Sequence, residues 1–401
     1  MKNVLGQDVQ LDDAFLNRMR ETIDPPADAV AKTLVEQGAV PLVKDLLRQR
    51  KMWDDDGEPA RALPEDIRAY MKAASALPPW RDPARVHAAE QFFLLYGLAS
   101  STLLACASLP QCYVMKYGTE VLAYTKFLQV EPTRRIQQTA QMVMDVMVPH
   151  GLDPGGRGVR ATMKVRVMHA IVRHMIMNDP RAAANPVDPE LRAKFGLPIN
   201  QEDMVYTLMT FSYVVIEGFR IMGYDMTPAE RDGYVHCWNV VGYLMGIREE
   251  LLPERFDDAA ELFAVIQRRQ GGQSQAGVKL TKALIGAVED ALPGDHHDPL
   301  IAVLTRRLVG DVTADALEIP KPTLVQRIRL DALLEAWEVT ARVATKLHAD
   351  RPFRMASEDL HHAIMIKMGG MGGAAFEVPP EFVARWFPDG LPGTASPNAN
   401  S

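Results

Sequence analysis

A chain of 401 residues that is 47% apolar and 24% charged can bury a sizeable core and has the composition of a globular rather than a disordered protein. Its 44 basic and 51 acidic residues leave a net charge of −7, which removes any overall electrostatic case for nucleic acid or an anionic membrane surface as partner. Three cysteines, Cys106, Cys112 and Cys237, with no CxxC spacing, exclude a disulfide framework and a zinc finger.

Apolar residues recur at helical spacing along the chain and no convincing run of alternating β-branched residues interrupts them, so the predicted fold is all-α. The N-terminus, Met1-Lys2-Asn3-Val4-Leu5-Gly6-Gln7-Asp8, turns polar before a signal-peptide core develops, which predicts a cytoplasmic chain unless a leader has been removed. Helices are expected over 28–37, 40–53, 64–76, 84–108, 113–126, 133–149, 158–178, 202–223, 227–250, 256–270, 276–291, 297–309, 323–348 and 357–367. Pro25-Pro26, Pro78-Pro79, Asp153-Pro154-Gly155-Gly156, Gly271-Gly272 and Pro320-Lys321-Pro322 supply the breaks. Residues 1–85 then form an N-terminal helical extension, 86–250 the core, 251–380 C-terminal helices packed on it, and 381–401 a flexible tail rich in Pro, Gly, Ala, Ser and Asn.

Phe92 to Met115 carries no charged residue and by length would span a bilayer. Gly97, Ser100, Ser101, Thr102 and Ser108 dilute its apolarity and Pro110 stops a helix inside it, so a buried central helix is the better account and no stable membrane insertion is expected. Methionine is unusually frequent, at 21 residues against 13 phenylalanines. Met142, Met144, Met147, Met163, Met168, Met175 and Met177 gather where polarizable side chains would either line a pocket or fill a core.

Chemistry is concentrated in two of the expected helices. Arg135 and Thr139, four residues apart, share one helical face. His169 follows thirty residues after Thr139 in a strongly apolar segment; a neutral imidazole there suits an axial ligand of haem iron, and a core histidine held by a hydrogen bond is the plainer alternative. Arg166 and Arg173, three before and four after His169, lie near its face and are candidates to pair with haem propionates. His174 stands about 140° away around the helix and cannot share the iron. Glu120, a carboxylate upstream of Arg135–Thr139, is a candidate general base for an allylic proton. The pairs His296-His297 and His361-His362 diverge by about 100° on a helix and lack HExxH spacing. No P-loop or GxSxG elbow occurs, and Gly369-Gly370-Met371-Gly372-Gly373 has no strand-to-helix context, which leaves it a turn.

Five segments together resemble the latex-clearing rubber oxygenases and the related oxygenases of mycophenolic acid biosynthesis. They are Ala107-Ser108-Leu109-Pro110-x-x-Tyr113; Arg135-x-x-x-Thr139; His169-x-x-x-Arg173-His174; Pro198-Ile199-Asn200-Gln201-Glu202-Asp203 with Thr207 and Phe211-Ser212; and Tyr243-Leu244-x-Gly246-Ile247. The resemblance spans about residues 90–250. It implies a globin-like helical core with added helices, one non-covalent haem b with His169 as proximal ligand, dioxygen as co-substrate, and Arg135 and Thr139 as characteristic pocket residues. It further implies cleavage of the double bonds of polyisoprene to aldehyde and ketone ends. Two positions depart from the pattern. Gln138 stands where rubber-cleaving members carry a lysine, and the family's distal glutamate falls on Thr119 by strict spacing and on Glu120 after a shift of one. A small prenylated or other alkene substrate, or a globin-like protein that binds haem and oxygen without catalysis, are the alternative readings. The sequence leaves the oligomeric state open.

Overall fold

The computed structural model describes residues 1–36, 64–124, 132–178, 196–224, 226–291 and 299–346. Among them there is no strand, and only isolated bridges such as Asn3 to Pro253 interrupt an all-α architecture. The helices are α1 Asp13–Arg20, α2 Pro25–Glu36, α3 Glu65–Ala74, α4 Pro83–Leu95, α5 Gly97–Leu103, α6 Leu109–Tyr113, α7 Gly118–Tyr124, α8 Pro132–Met147 and α9 Arg157–Asn178. They continue as α10 Gln201–Phe211, α11 Tyr213–Ile221, α12 Pro228–Leu244, α13 Phe256–Gln270, α14 Gln275–Ala291, α15 Leu300–Val309, α16 Asp311–Ala316 and α17 Leu324–Lys346. The expected helices 40–53 and 357–367, the expected tail 381–401, both double histidines and the Gly369–Gly373 turn lie outside the described residues.

The expected single helix over 84–108 is several pieces. Asp82 caps α4, accepting from the Ala84 and Arg85 amides, with Pro83 at the first turn as helix starts favour. The chain bends by 91° between α4 and the helical run Gly97–Tyr113, so the uncharged stretch Phe92–Met115 is not one straight rod. A π-helical turn over Leu104–Ser108 joins α5 to α6. Pro110 lies two residues beyond its end and has no amide hydrogen to continue the regular ladder, which gives the widened turn a cause. Gly218 of α11 lets this layer close, because a Cβ there would lie 2.3 Å from Leu103 Cδ2. The expected helix 202–223 likewise divides at Ser212 into α10 and α11.

One core unites the three expected segments. Phe15 and Leu16 from α1, Phe93 from α4, Val146 from α8, Tyr206 from α10, Trp238 from α12, Leu262 from α13 and Leu308 from α15 belong to a single cluster. The N-terminal residues are bonded into the later part of the chain: the Lys2 amide donates to Asp258, Val4 to the Leu252 carbonyl, and the Met1 ammonium pairs with Glu261. Two further clusters lie apart from it. Met163, Val167, Met168, Ile171 and Met175 of α9 pack with α2 and α3, while Ile136 of α8 packs with α14 and α15. The methionines therefore fill cores, in different clusters, as flexible side chains do well.

The start of α10 ties the layers together through polar groups. Asn200 caps it, accepting from the Asp203 amide. Gln201 donates to the carbonyls of Ile23 and Gly246 and accepts from the Arg248 amide. Glu202, fully buried, receives Arg20, Arg269 and Gln270. Burial pushes its carboxyl up to about 7 while the Arg20 guanidinium pulls the other way. A buried carboxylate surrounded by donors makes this motif an anchor of the fold.

Candidate functional site

α8 and α9 form an antiparallel hairpin joined by the tight turn 148–156. His150 at φ 64° and Gly155 at φ 71° reverse the chain. The turn is held by His150 Nδ1 to Asp153 at 2.7 Å, Arg81 to Asp153 at 2.5 Å and Arg157 to Asp145 at 2.6 Å. At the root of the hairpin the two helices touch through backbone. A Cβ on Gly158 would stand 2.8 Å from both Val146 Cα and the Gly151 carbonyl oxygen, a separation only glycine allows.

That contact sets the register. Arg135 precedes Val146 by eleven residues and His169 follows Gly158 by eleven, three helical turns within about 20°, so both fall on the facing stripes at the same height, about 16 Å from the root. Thr139, seven before Val146, and Thr162, four after Gly158, lie on the same stripes. The helices share the main core at the root, through Val143, Val146 and Val159. Farther up, Ile136 turns to the α14–α15 cluster and the Met163–Met175 face to the α2–α3 cluster. The upper halves thus have different packing partners, and it is at that level that Arg135, Thr139 and His169 sit.

The structure describes these residues to different depths. Arg135 lies in α8, with its side chain outside the described set. Gln138 is buried and Thr139 half-buried. His169 is half-buried, with Nδ1 fully shielded from solvent. Among the described residues Thr162 Oγ1 is buried without a hydrogen-bond partner, an unsatisfied donor on the stripe that carries His169. Glu120 is half-buried in the first turn of α7, which packs on α14. Its neighbour Thr119 is fully buried and donates to the Met115 and Lys116 carbonyls, so the position reached by strict spacing is a helix-start hydroxyl and not an acid.

Arg166 and Arg173, expected to face propionates, have their charge taken up within the protein. Arg166 makes a bidentate pair with Asp24, Nε to Oδ2 at 2.7 Å and Nη2 to Oδ1 at 2.9 Å, and also reaches the Leu244 carbonyl. Arg173, 1% exposed, donates to Asp28 at 2.8 Å and to the Pro198 and Ile199 carbonyls. Each guanidinium uses all three nitrogens, so their geometry is that of clasps fixing α2 across α9 on either side of His169. Gly246 is part of the same arrangement: at φ 81° it lets the Arg166–Asp24 pair approach to within 2.5 Å of where a Cβ would be. Sequence reading missed Asp24 and Asp28. The available signal was their four-residue spacing at the start of α2, with Asp24 directly before Pro25, a helix-start pattern that also presents two carboxylates on one side.

A second fixed histidine is structural. His236 Nε2 accepts the Asp82 amide at 2.9 Å, its ring meets Trp80 edge-on, and burial with nearby Arg85 lowers it to about 4. It stays neutral and holds the start of α4.

Residues 84–346 match the family model described as the catalytic domain of the ER-bound oxygenase mpaB/B′ and rubber oxygenase, a span of more than half the chain. The chain belongs to this oxygenase family. Within the mpaB/rubber oxygenase family it is 25% identical over 307 residues, 76% of this chain and 72% of the relative, to the protein named rubber oxygenase from Streptomyces sp. (strain K30). Among solved structures it is similar to latex clearing protein LCP in the closed state, with a TM-score of 0.71 at 23% identity, over 91% of this chain and 93% of that one. That likeness supports the all-α fold. The family span covers the hairpin and all the candidate residues, with α1 to α3 outside it.

Proposed function

We propose that this family member is a haem b-dependent oxygenase that uses dioxygen to cleave carbon–carbon double bonds of polyisoprene or a related isoprenoid, leaving aldehyde and ketone ends. The observation that supports the reading is the hairpin register, by which Arg135 and Thr139 belong to the stripe of α8 next to the His169 stripe of α9. The donor set favours haem over a protein-built metal centre. Among the described residues no three His, Cys, Asp or Glu side chains gather to hold an ion, so a single imidazole suffices only for an iron whose other ligands come from a porphyrin. Bound haem would supply the redox chemistry of dioxygen.

The chain's own residues do the rest. His169 would hold the haem iron, its position kept because Arg166 and Arg173 lock α9 to α2 on both sides of it. Arg135, a permanent cation, and the Thr139 hydroxyl would polarise and orient the oxygen side of the pocket. Glu120 would take the allylic proton. Gln138 is a neutral amide where rubber-cleaving relatives carry a cation, which favours a smaller isoprenoid or another alkene as a second substrate reading. The test incubates the purified protein with polyisoprene and, separately, with a short prenyl chain under oxygen. Carbonyl-ended products from either, lost in His169→Ala together with the Soret band, support the reading and name the substrate. Oxygen uptake with neither, or an unchanged Soret band in the variant, overturns it.

A further inference from the structure

Glu202 is fully buried at the start of α10, yet the hydrogen bonds it receives are long. Its Oε1 receives Arg269 Nε at 3.1 Å, and its Oε2 receives Arg20 Nη1 and Gln270 Nε2, each at 3.3 Å. Guanidinium–carboxylate bonds run to about 2.7–2.9 Å, a range that the Arg166 and Arg173 clasps meet. Both arginines at Glu202 are shared. Arg20 Nη1 also reaches Asp203 Oδ1 at 3.4 Å, and Arg269 also donates to Asp13, and to Asn17 Oδ1 at 2.8 Å. Lys116 lies over the Tyr117 ring at 5.1 Å, with Arg20 over the same ring at 5.5 Å. Among the described residues three carboxyls, Asp13, Glu202 and Asp203, therefore divide two guanidiniums. Asp203 Oδ2 is further held by Asn200 Nδ2 at 2.8 Å and Asp13 is exposed to water, which leaves Glu202 as the carboxyl to take a proton.

An acceptor for that proton is in place. Gln270, 6% exposed, gives its Nε2 to Glu202, while its Oε1 is buried without a partner among the described residues. A carboxylic acid and a primary amide close a ring of two hydrogen bonds, amide N–H to acid carbonyl and acid O–H to amide oxygen; an ionised carboxyl makes only the first. A buried acceptor left unpaired is costly, and a proton on Glu202 removes that cost. Burial, which pushes the Glu202 carboxyl up to about 7, acts in the same direction.

We infer that Glu202 is a proton-operated latch between α10 and the end of α13: ionised, it holds Arg20 and Arg269, and protonated from solvent it releases Arg269 to Asp13 and Asn17 and closes on the Gln270 amide. The Gln270 carbonyl accepts the Lys116 amide at 3.4 Å and the Gly272 amide donates to the Val114 carbonyl at 2.9 Å, so the latched end of α13 is also where the chain leading into α7 is strapped. Infrared titration of the full chain tests the latch. A protonated-carboxyl band is expected to grow in as pH falls through about 7, and Gln270→Leu, which removes the partner of the acid, moves that band to higher frequency. Glu202→Gln replaces the acid–amide ring by an amide–amide ring of similar shape, so it folds and lacks the band. The folded value of Glu202 lies above its unfolded one, so the folding constant of the wild type relative to Glu202→Gln rises by roughly a hundredfold as pH falls from about 7 into the ordinary carboxyl range. A band confined to the ordinary carboxyl range, a neutral-pH band that Gln270→Leu leaves unmoved, or a stability ratio independent of pH overturns the inference. The two infrared results decide the matter even where Glu202→Gln fails to fold.

Discussion

Replacing Asp24 by asparagine keeps the volume of the side chain but removes the charge that Arg166 meets through two hydrogen bonds. Both side chains are largely withdrawn from water, at 5% and 12% exposed, so the arginine keeps its desolvation cost and loses its counter-charge. Breaking a buried pair in this way costs about 3–5 kcal/mol. With an unfolding entropy of about 2.1 cal/mol/K per residue, a chain of this length loses about 4–6 °C of melting temperature. Gly246 makes the estimate sharper. Gly246→Ala places a Cβ 2.5 Å from Asp24 Oδ2 and 2.8 Å from Arg166 Nε, at a positive φ that itself costs about 1–2 kcal/mol, so it disrupts the same pair. The two substitutions therefore share part of their effect, and the double variant is less destabilised than the sum by at least about 1 kcal/mol. Thermal unfolding of the four proteins by circular dichroism reads this. A loss under about 1 °C for Asp24→Asn, or strict additivity, refutes the clasp.

At Gly158, alanine gains helix propensity of about 1 kcal/mol, yet the backbone contact with Val146 Cα and the Gly151 carbonyl makes Gly158→Ala a net loss of about 1–2 kcal/mol, measured by denaturant titration; a stabilised variant would disprove the hairpin register. His236 has a folded-state value below its unfolded one, so its contribution is fully present above about pH 6.5 and is lost as pH falls toward about 4. His236→Gln, whose amide oxygen can still accept from Asp82, should flatten the pH dependence of the melting temperature between those limits, and an unaltered slope would contradict the assignment. Glu120→Gln should lower turnover on the cleaved isoprenoid by roughly a hundredfold or more with the Soret band intact if Glu120 removes the proton. Near-normal turnover would assign that role elsewhere.

How far the chain could be read in advance differs from element to element. α13 matches its expected bounds of 256–270, and α9, α14 and α17 lie within two residues of theirs, because each has a regular apolar period bounded by breakers. The expected helix over 84–108 is divided because the 91° bend and the π-helical turn answer to neighbours such as α11, whose Gly218 sits against Leu103. The short α1 and α16 carry too few turns to show a period. In the candidate site, His169, Arg135 and Thr139 were visible from residue type and spacing. The roles of Arg166 and Arg173 were not, since an arginine beside a candidate ligand looks the same whether it awaits a carboxylate from a cofactor or already holds one from α2.

What the sequence by itself determined is everything that one helix can express alone: the all-α class, the stripe shared by Arg135 and Thr139, and the His169 imidazole among apolar neighbours. These follow from a period of 3.6 residues and need no knowledge of what lies opposite. Only the tertiary structure decided that α8 and α9 meet at Gly158 with Arg135 and His169 level, that Asp24 and Asp28 claim the arginines, and that the upper halves of the hairpin pack into different clusters. Asp24 and Arg166 are separated by 142 positions along the chain, and no local period reports a contact made across that distance. Packing brings the two charges together, and the cost of leaving either one buried alone keeps them there.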